Sequence, residues 1–171
     1  RFYRTMSSEM ILSGANITDA DIANLIYSKP KPHASGSKVV NVSNRATRQA
    51  LQIMTPMMLS WGAQEGKELQ TGNPTGKWTL ALQFPNDDFA TPETTAFLAG
   101  MRRIERAIKN AALVNSRDWF GKDYNSGRPE VDQMLIDEKF CYAMLKHPKK
   151  EKGGTEVDTT RPPTLSPKLP Q

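Results

Sequence analysis

The chain has 171 residues, 37% of them hydrophobic, enough for one compact domain with a real core. Its 23 Lys and Arg against 18 Asp and Glu give a net charge of +5 and a pI near 9.4, an excess that suits a polyanionic partner without requiring one. The single cysteine, Cys141, rules out a disulfide within these residues and fits a reducing compartment, and no apolar run approaches the roughly 20 residues that cross a bilayer.

Residues 1–18 carry little pattern and read as a loose arm ahead of one domain over 19–171. The first residue is Arg1, and TLSPKLPQ stops within an apparent strand, so the chain reads as a fragment truncated at its C-terminus. The segment ITDADIANLIYS, 17–28, fits two elements. Thr18 can cap a short helix with Ile22, Leu25 and Ile26 inward, and 24–27 can equally be a strand. Prolines, glycine and serines make 29–38 a loop, and strands are expected at 38–42, 49–54 and 57–61. A polar, glycine-bearing stretch over 64–76 follows, a hairpin loop or an exposed excursion. KWTLALQF, 77–84, is the clearest strand, with Trp78, Leu80, Leu82 and Phe84 on one face.

After a turn at 85–88, Thr91 caps a long helix, Pro92 fits its first turn and Glu93 complements its dipole. Phe97, Met101, Ile104, Ile108 and Ala111 recur at steps of three and four and form its apolar stripe. Arg102, Arg103, Arg106 and Lys109 fall off the stripe and make the outer face basic. The helix ends near Asn115 in an aromatic and basic corner, Trp119-Phe120-Gly121-Lys122. A polar loop over 123–129 leads to a short helix at 130–138 with Val131, Met134 and Leu135 at helical spacing. Strands at 140–145 and 164–169 flank a charged loop over 147–161, expected to be mobile. The three early strands are too closely linked for parallel crossovers. The predicted fold is therefore mainly β with one long helix: an OB-fold-like antiparallel barrel, the helix inserted between the third and fourth strands.

Catalytic patterns mostly fail. GNPTGK, 72–77, has one residue too few between its glycines for a phosphate loop, places Trp78 at the Mg²⁺-binding position, and precedes a strand. Cys141 and His147 have no third group at a useful spacing. One Cys and two His exclude a credible zinc site, and Asp87 and Asp88 read as turn residues. No catalytic residue, metal or cofactor is expected.

A protein that holds a single strand without reading its sequence needs flat rings for bases and cations for phosphates. The rings assigned to that role are Trp61, Trp119, Tyr124 and Tyr142, and the cations are Lys38, Arg45, Arg48, Lys77, Lys122, Arg128 and Lys146. Trp78 and Phe140 read as core, Trp119 can face either way, and the basic helix face reads as solvated.

NSRDWFGK, 115–122, preceded by MRRIERAIKNAALV, resembles a signature of the predicted single-stranded DNA-binding proteins of nucleo-cytoplasmic large DNA viruses. That family is similar in turn to the OB-fold single-strand binders of short-tailed coliphages. RPPTLSPKLPQ, 161–171, resembles the same family's late strand, and LIYSKPKP with SKVVNVS, 25–32 and 37–43, its opening strands, which favours strand over helix at 25–27. The resemblance implies an OB-fold protein that coats unwound viral DNA in replication or recombination inside the infected host cell, in a cytoplasmic virus factory or the nucleus. Its implied partners are single-stranded DNA and viral replication proteins, with no membrane and with a homodimer left open. Family members carry an acidic C-terminal tail ending in an aromatic residue; these 171 residues contain nothing like it. The alternative is a virion component that uses an OB-like barrel for protein contacts, to which the Met54, Met57 and Met58 cluster is suited. A phosphoryl-transfer enzyme would need a carboxylate cluster that the sequence does not display.

Overall fold

The computed structural model describes residues 11–33, 36, 38–68, 71–139, 145–154 and 156–166. The chain enters along β1 (Leu12–Ser13), which pairs in parallel with β6 (Ile53–Met54). Thr18 caps α1 (Asp19–Ala23): its hydroxyl accepts from the Asp21 N–H, while the Asp21 carboxylate accepts from the Thr18 N–H at 2.8 Å. The helix stops at Asn24, and β2 (Leu25–Tyr27) follows at once, so both readings of 17–28 were half right. A small hairpin joins β3 (Lys31–Pro32) to β4 (Lys38–Val39), and β5 (Val42–Asn44) pairs antiparallel with β2.

β7 (Leu59–Lys67) and β8 (Pro74–Gln83) form the longest hairpin. The stretch 64–76 is a hairpin, the first of its two readings, with strand extending over 64–67 and 74–76 and Glu68 N–H donating to Asn73 O at 2.9 Å. Beyond the hairpin lie α2 (Pro92–Val114), α3 (Ser116–Phe120), α4 (Pro129–Lys139), β9 (Leu145–Lys146) and β10 (Thr164–Leu165). The main sheet runs β7-β8-β10-β9, all antiparallel, with α2 between β8 and β9 in sequence. The architecture is mixed α/β rather than mainly β, and among the described residues the strands form four small sheets and no closed barrel. The early strands stay two or three residues long, interrupted by Pro30, Pro32 and the polar turn after Asn44.

α2 organises the core. Thr91 caps it, accepting from the Thr94 N–H at 3.2 Å, and the Thr94 hydroxyl answers by accepting from the Thr91 N–H at 2.9 Å. Its buried face carries Phe97, Met101 and Ile104, packed with Phe84, Leu25 and Leu145, while Ala112 belongs to a second cluster with Trp119, Tyr124 and Ile136. The arm expected over 1–18 is, in its described part, no arm: Gly14 and Ile17 are buried against α2. Arg103, expected on a solvated face, fastens this strap by donating to Ile17 O at 2.7 Å and pairing with Asp19.

α4 is rotated from the predicted face. Asp132 and Ile136 are buried, whereas Val131 and Met134 are exposed. The Asp132 carboxylate accepts the Ser126 N–H, and Asp137 pairs with Lys109 of α2 at 2.8 Å; these polar ties set the rotation that apolar spacing misjudged. Burial of the Lys109 ammonium pushes its pKa down, but hydrogen bonds and charge from Asp137 and Glu105 outweigh this and hold it above its ordinary value. The strand expected over 140–145 lies outside the described residues except for Leu145, as does the end of the one expected at 164–169.

The strap leaves no room at Gly14, where an added Cβ would meet Phe97 Cδ2 at 2.5 Å and the Met54 carbonyl oxygen at 2.6 Å. Gly14→Ala is expected to cost about 1–3 kcal/mol through overpacking against groups that cannot retreat. A fall in the urea midpoint at unchanged m-value checks it.

Candidate functional site

The largest concentration of open apolar side chains lies where β7 begins. β7 is an edge strand of the main sheet, and its ladder to β8 shifts register between Ser60 and Ala63. Gly62 takes the left-handed conformation there, at φ 81°. A bulge of this kind re-aims the side chains beside it. Trp61, within it, is 64% exposed, and Met57, just before the strand, is 96% exposed. On the facing wall a 3₁₀ turn, Asp87–Phe89, closes through Phe89 N–H to Asn86 O at 2.9 Å and leaves the Phe89 ring 78% exposed.

Between these walls is a cleft of about 850 Å³, floored by Phe84 and Leu59 and edged by Lys146, His147 and Arg161. Lys146 comes from β9, held opposite Thr164 of β10. Arg161 is braced: Nε donates to Asp158 Oδ2 at 2.6 Å and Nη2 to Lys149 O at 2.7 Å. Hydrogen bonds from Thr160 and Arg161 hold the Asp158 carboxyl at about 2, below its ordinary value. The loop over 147–161, expected to be mobile, is thus tied across its described part, with a bridge between Lys149 and Val157 and a pair between Lys150 and Glu156. An apolar floor with open rings and a cationic rim can take a flat, anionic ligand.

The predicted site residues scatter. Trp61 and Lys146 meet in this cleft. Arg45 meets the edge of Trp119 in a separate hollow of about 510 Å³, beside Tyr27 and Lys29. Burial pushes the Tyr27 phenol up, so it stays protonated. Lys38 on β4, Arg48 in the turn after β5 and Lys77 on β8 are exposed on three different elements. Lys122 lies over the Tyr124 ring at 5.9 Å, and Arg128 is exposed just before α4. Tyr142 lies outside the described residues.

Two assigned rings are corrected. Trp119 is only 7% exposed, edge-on to Tyr27 at 5.8 Å, and Tyr124 is equally buried, its N–H donating to Ser116 Oγ at 3.1 Å. The αL cap at Gly121 turns the chain back so that the corner closes inward, and neither ring offers a face to a base. Trp78, expected in the core, is 44% exposed; among the described residues β10 pairs with β8 at Leu82 and Gln83 and does not reach it. Phe140 lies outside the described residues. Sequence reasoning missed Phe89 and Arg161. Phe89 carried a usable signal, an aromatic in a turn off the helix stripe; Arg161 had none without its Asp158 partner.

Among the described residues no three His, Cys, Asp or Glu side chains gather to hold a metal ion, and no helix is long and apolar enough to cross a membrane. The chain matches no protein-family model, no curated protein and no solved structure.

Tryptophan emission separates these environments. A W61F/W78F double variant is expected to emit at shorter wavelength and resist acrylamide, since only Trp119 remains. Trp119→Ala is expected to destabilise by about 3–5 kcal/mol, and Trp61→Ala by less than about 0.5 kcal/mol. The Asp158 bracing has its own pH signature. Its folded pKa lies below the unfolded value, so its contribution is complete above about pH 4 and is lost as pH falls through about 2. The Thr160 amide resonance should shift through that same window.

Proposed function

We propose that the chain is a non-enzymatic binder of single-stranded DNA, tolerant of sequence, whose bases stack in the cleft between Trp61 and Phe89. The observation that carries this reading is the pairing of two open rings with the rim of Lys146, His147 and Arg161. A ring stacks on any base, and cations at the edge follow phosphates rather than base identity, so such a cleft binds without reading sequence. The resemblance of residues 115–122 and 161–171 to viral single-strand binders supports a role in viral DNA replication or recombination, inside the infected cell and alongside viral replication proteins. The same proposal takes the antiparallel sheets as segments of an OB-like barrel. Among the described residues, antiparallel pairing in three of the four sheets supports it, although the long helix follows eight strands rather than lying between the third and fourth.

A second reading is favoured by one feature. Met57 and Met54 are exposed beside the cleft, and methionine is an adaptable side chain at protein-facing surfaces. On that reading the surface belongs to a virion component docking another protein.

Oligo-dT titration at low salt, followed by Trp61 fluorescence, decides between them. Single-strand binding predicts micromolar or tighter affinity. Trp61→Ala and Phe89→Ala should each cost about 1–3 kcal/mol of binding, and Lys146→Ala should reduce the slope of log affinity against log salt by about 0.7. Binding to oligo-dT no stronger than to a neutral polymer would reject the proposal. The same result, with the chain at fixed stoichiometry in purified particles, would favour the protein-docking reading.

A further inference from the structure

The cleft does not end at its rim. Phe84, His147 and Arg161 also line a neighbouring hollow of about 800 Å³, which we take as a second lobe, bounded by the 3₁₀ turn, the start of α2 and the 157–163 segment. The two lobes differ in charge. The first bears Lys146 and no carboxylate, whereas the second is lined by Asp87, Asp88 and Asp158 against Arg102 and the shared Arg161. Arg161 stands at the junction of the two, so the second lobe sets three carboxylates, Asp87, Asp88 and Asp158, against two arginines, one of them shared with the first. The start of α2 supplies no compensating attraction for an anion. Its first N–H is replaced by Pro92, its cap is closed by Thr91 and Thr94, and Glu93 sits there ionised, held low by its own backbone N–H and the Thr91 hydroxyl.

We propose that the trench is blind to a polyanion: a single strand seats its bases at Trp61 and Phe89, and Asp87 and Asp88 stop its path where the second lobe begins. This rests on the single-strand reading above and adds to it a short footprint with a fixed exit. A strand longer than the first lobe leaves over the β7 and β9 side instead of running along the trench. The acids, both exposed, act by repelling phosphates, an effect that added salt screens.

Length dependence tests this in the full chain. Affinities are measured for oligo-dT of about 4 and about 16 nucleotides, and their ratio cancels the general effect of net charge. In a D87N/D88N variant this ratio should rise about tenfold over the unaltered chain, as the longer strand gains phosphate contacts in the second lobe. An E130Q/E138Q control, which removes the same charge from the exposed face of α4, should leave the ratio unchanged. An equal ratio in all three proteins, or an equal rise in the control, overturns the blind trench while leaving single-strand binding intact. Failure of every protein to bind either oligonucleotide overturns the single-strand reading and this inference with it.

Discussion

The contact between Phe84 and Phe97 is the joint on which the rest of the molecule is hung. Their rings lie 5.5 Å apart, each almost fully buried, and they fix the residue just after the long hairpin to the second turn of α2. Such a pair contributes about 0.5–1.5 kcal/mol beyond its burial, but its geometric effect is larger. With both ends pinned, the short connection over 85–90 has no slack to fold inward, and the 3₁₀ turn must carry Phe89 outward. Gly14 completes the joint from the other side, lying so close to Phe97 that only hydrogen fits.

From this joint the molecule divides into a closed half and an open half. Toward the C-terminal end of α2, Ala112, Trp119, Tyr124 and Ile136 fill a second core, and polar ties from Asp132, Asp137 and Lys109 hold α4 against it. Toward the N-terminal end, among the described residues, Trp78 and Trp61 of the hairpin are left exposed, Trp61 in the apolar cleft. An uncovered patch of this kind in a described surface marks an interaction site more often than an accident of packing.

The charge distribution supports the same division. The long helix keeps its basic residues busy: Arg103 fastens the strap and Lys109 holds α4. The cations that edge the cleft come instead from the β9 and 147–161 region, where Arg161 is positioned by Asp158. Two of the basic residues on the helix face that was read as solvated, Arg103 and Lys109, serve the fold, and the rim of the candidate cleft draws on others.

The long helix, its cap at Thr91, the hairpin strand 77–84 and most of the buried stripe were determined by the sequence alone, because periodicity and capping act between residues three or four apart. At 17–28 the two local signals were read as alternatives, with strand favoured, whereas the structure uses both in succession. Which rings face solvent was not legible in the sequence, since it depends on what packs over them from far along the chain. Trp119 turned inward because Gly121 reverses the backbone toward α4, and Trp78 stayed outside where, among the described residues, β10 pairs with β8 only at Leu82 and Gln83. The cleft itself joins residues nearly a hundred positions apart, Trp61 and Phe89 with Lys146 and Arg161. Only the tertiary structure brings them together, because no local pattern records a contact that the core has yet to form.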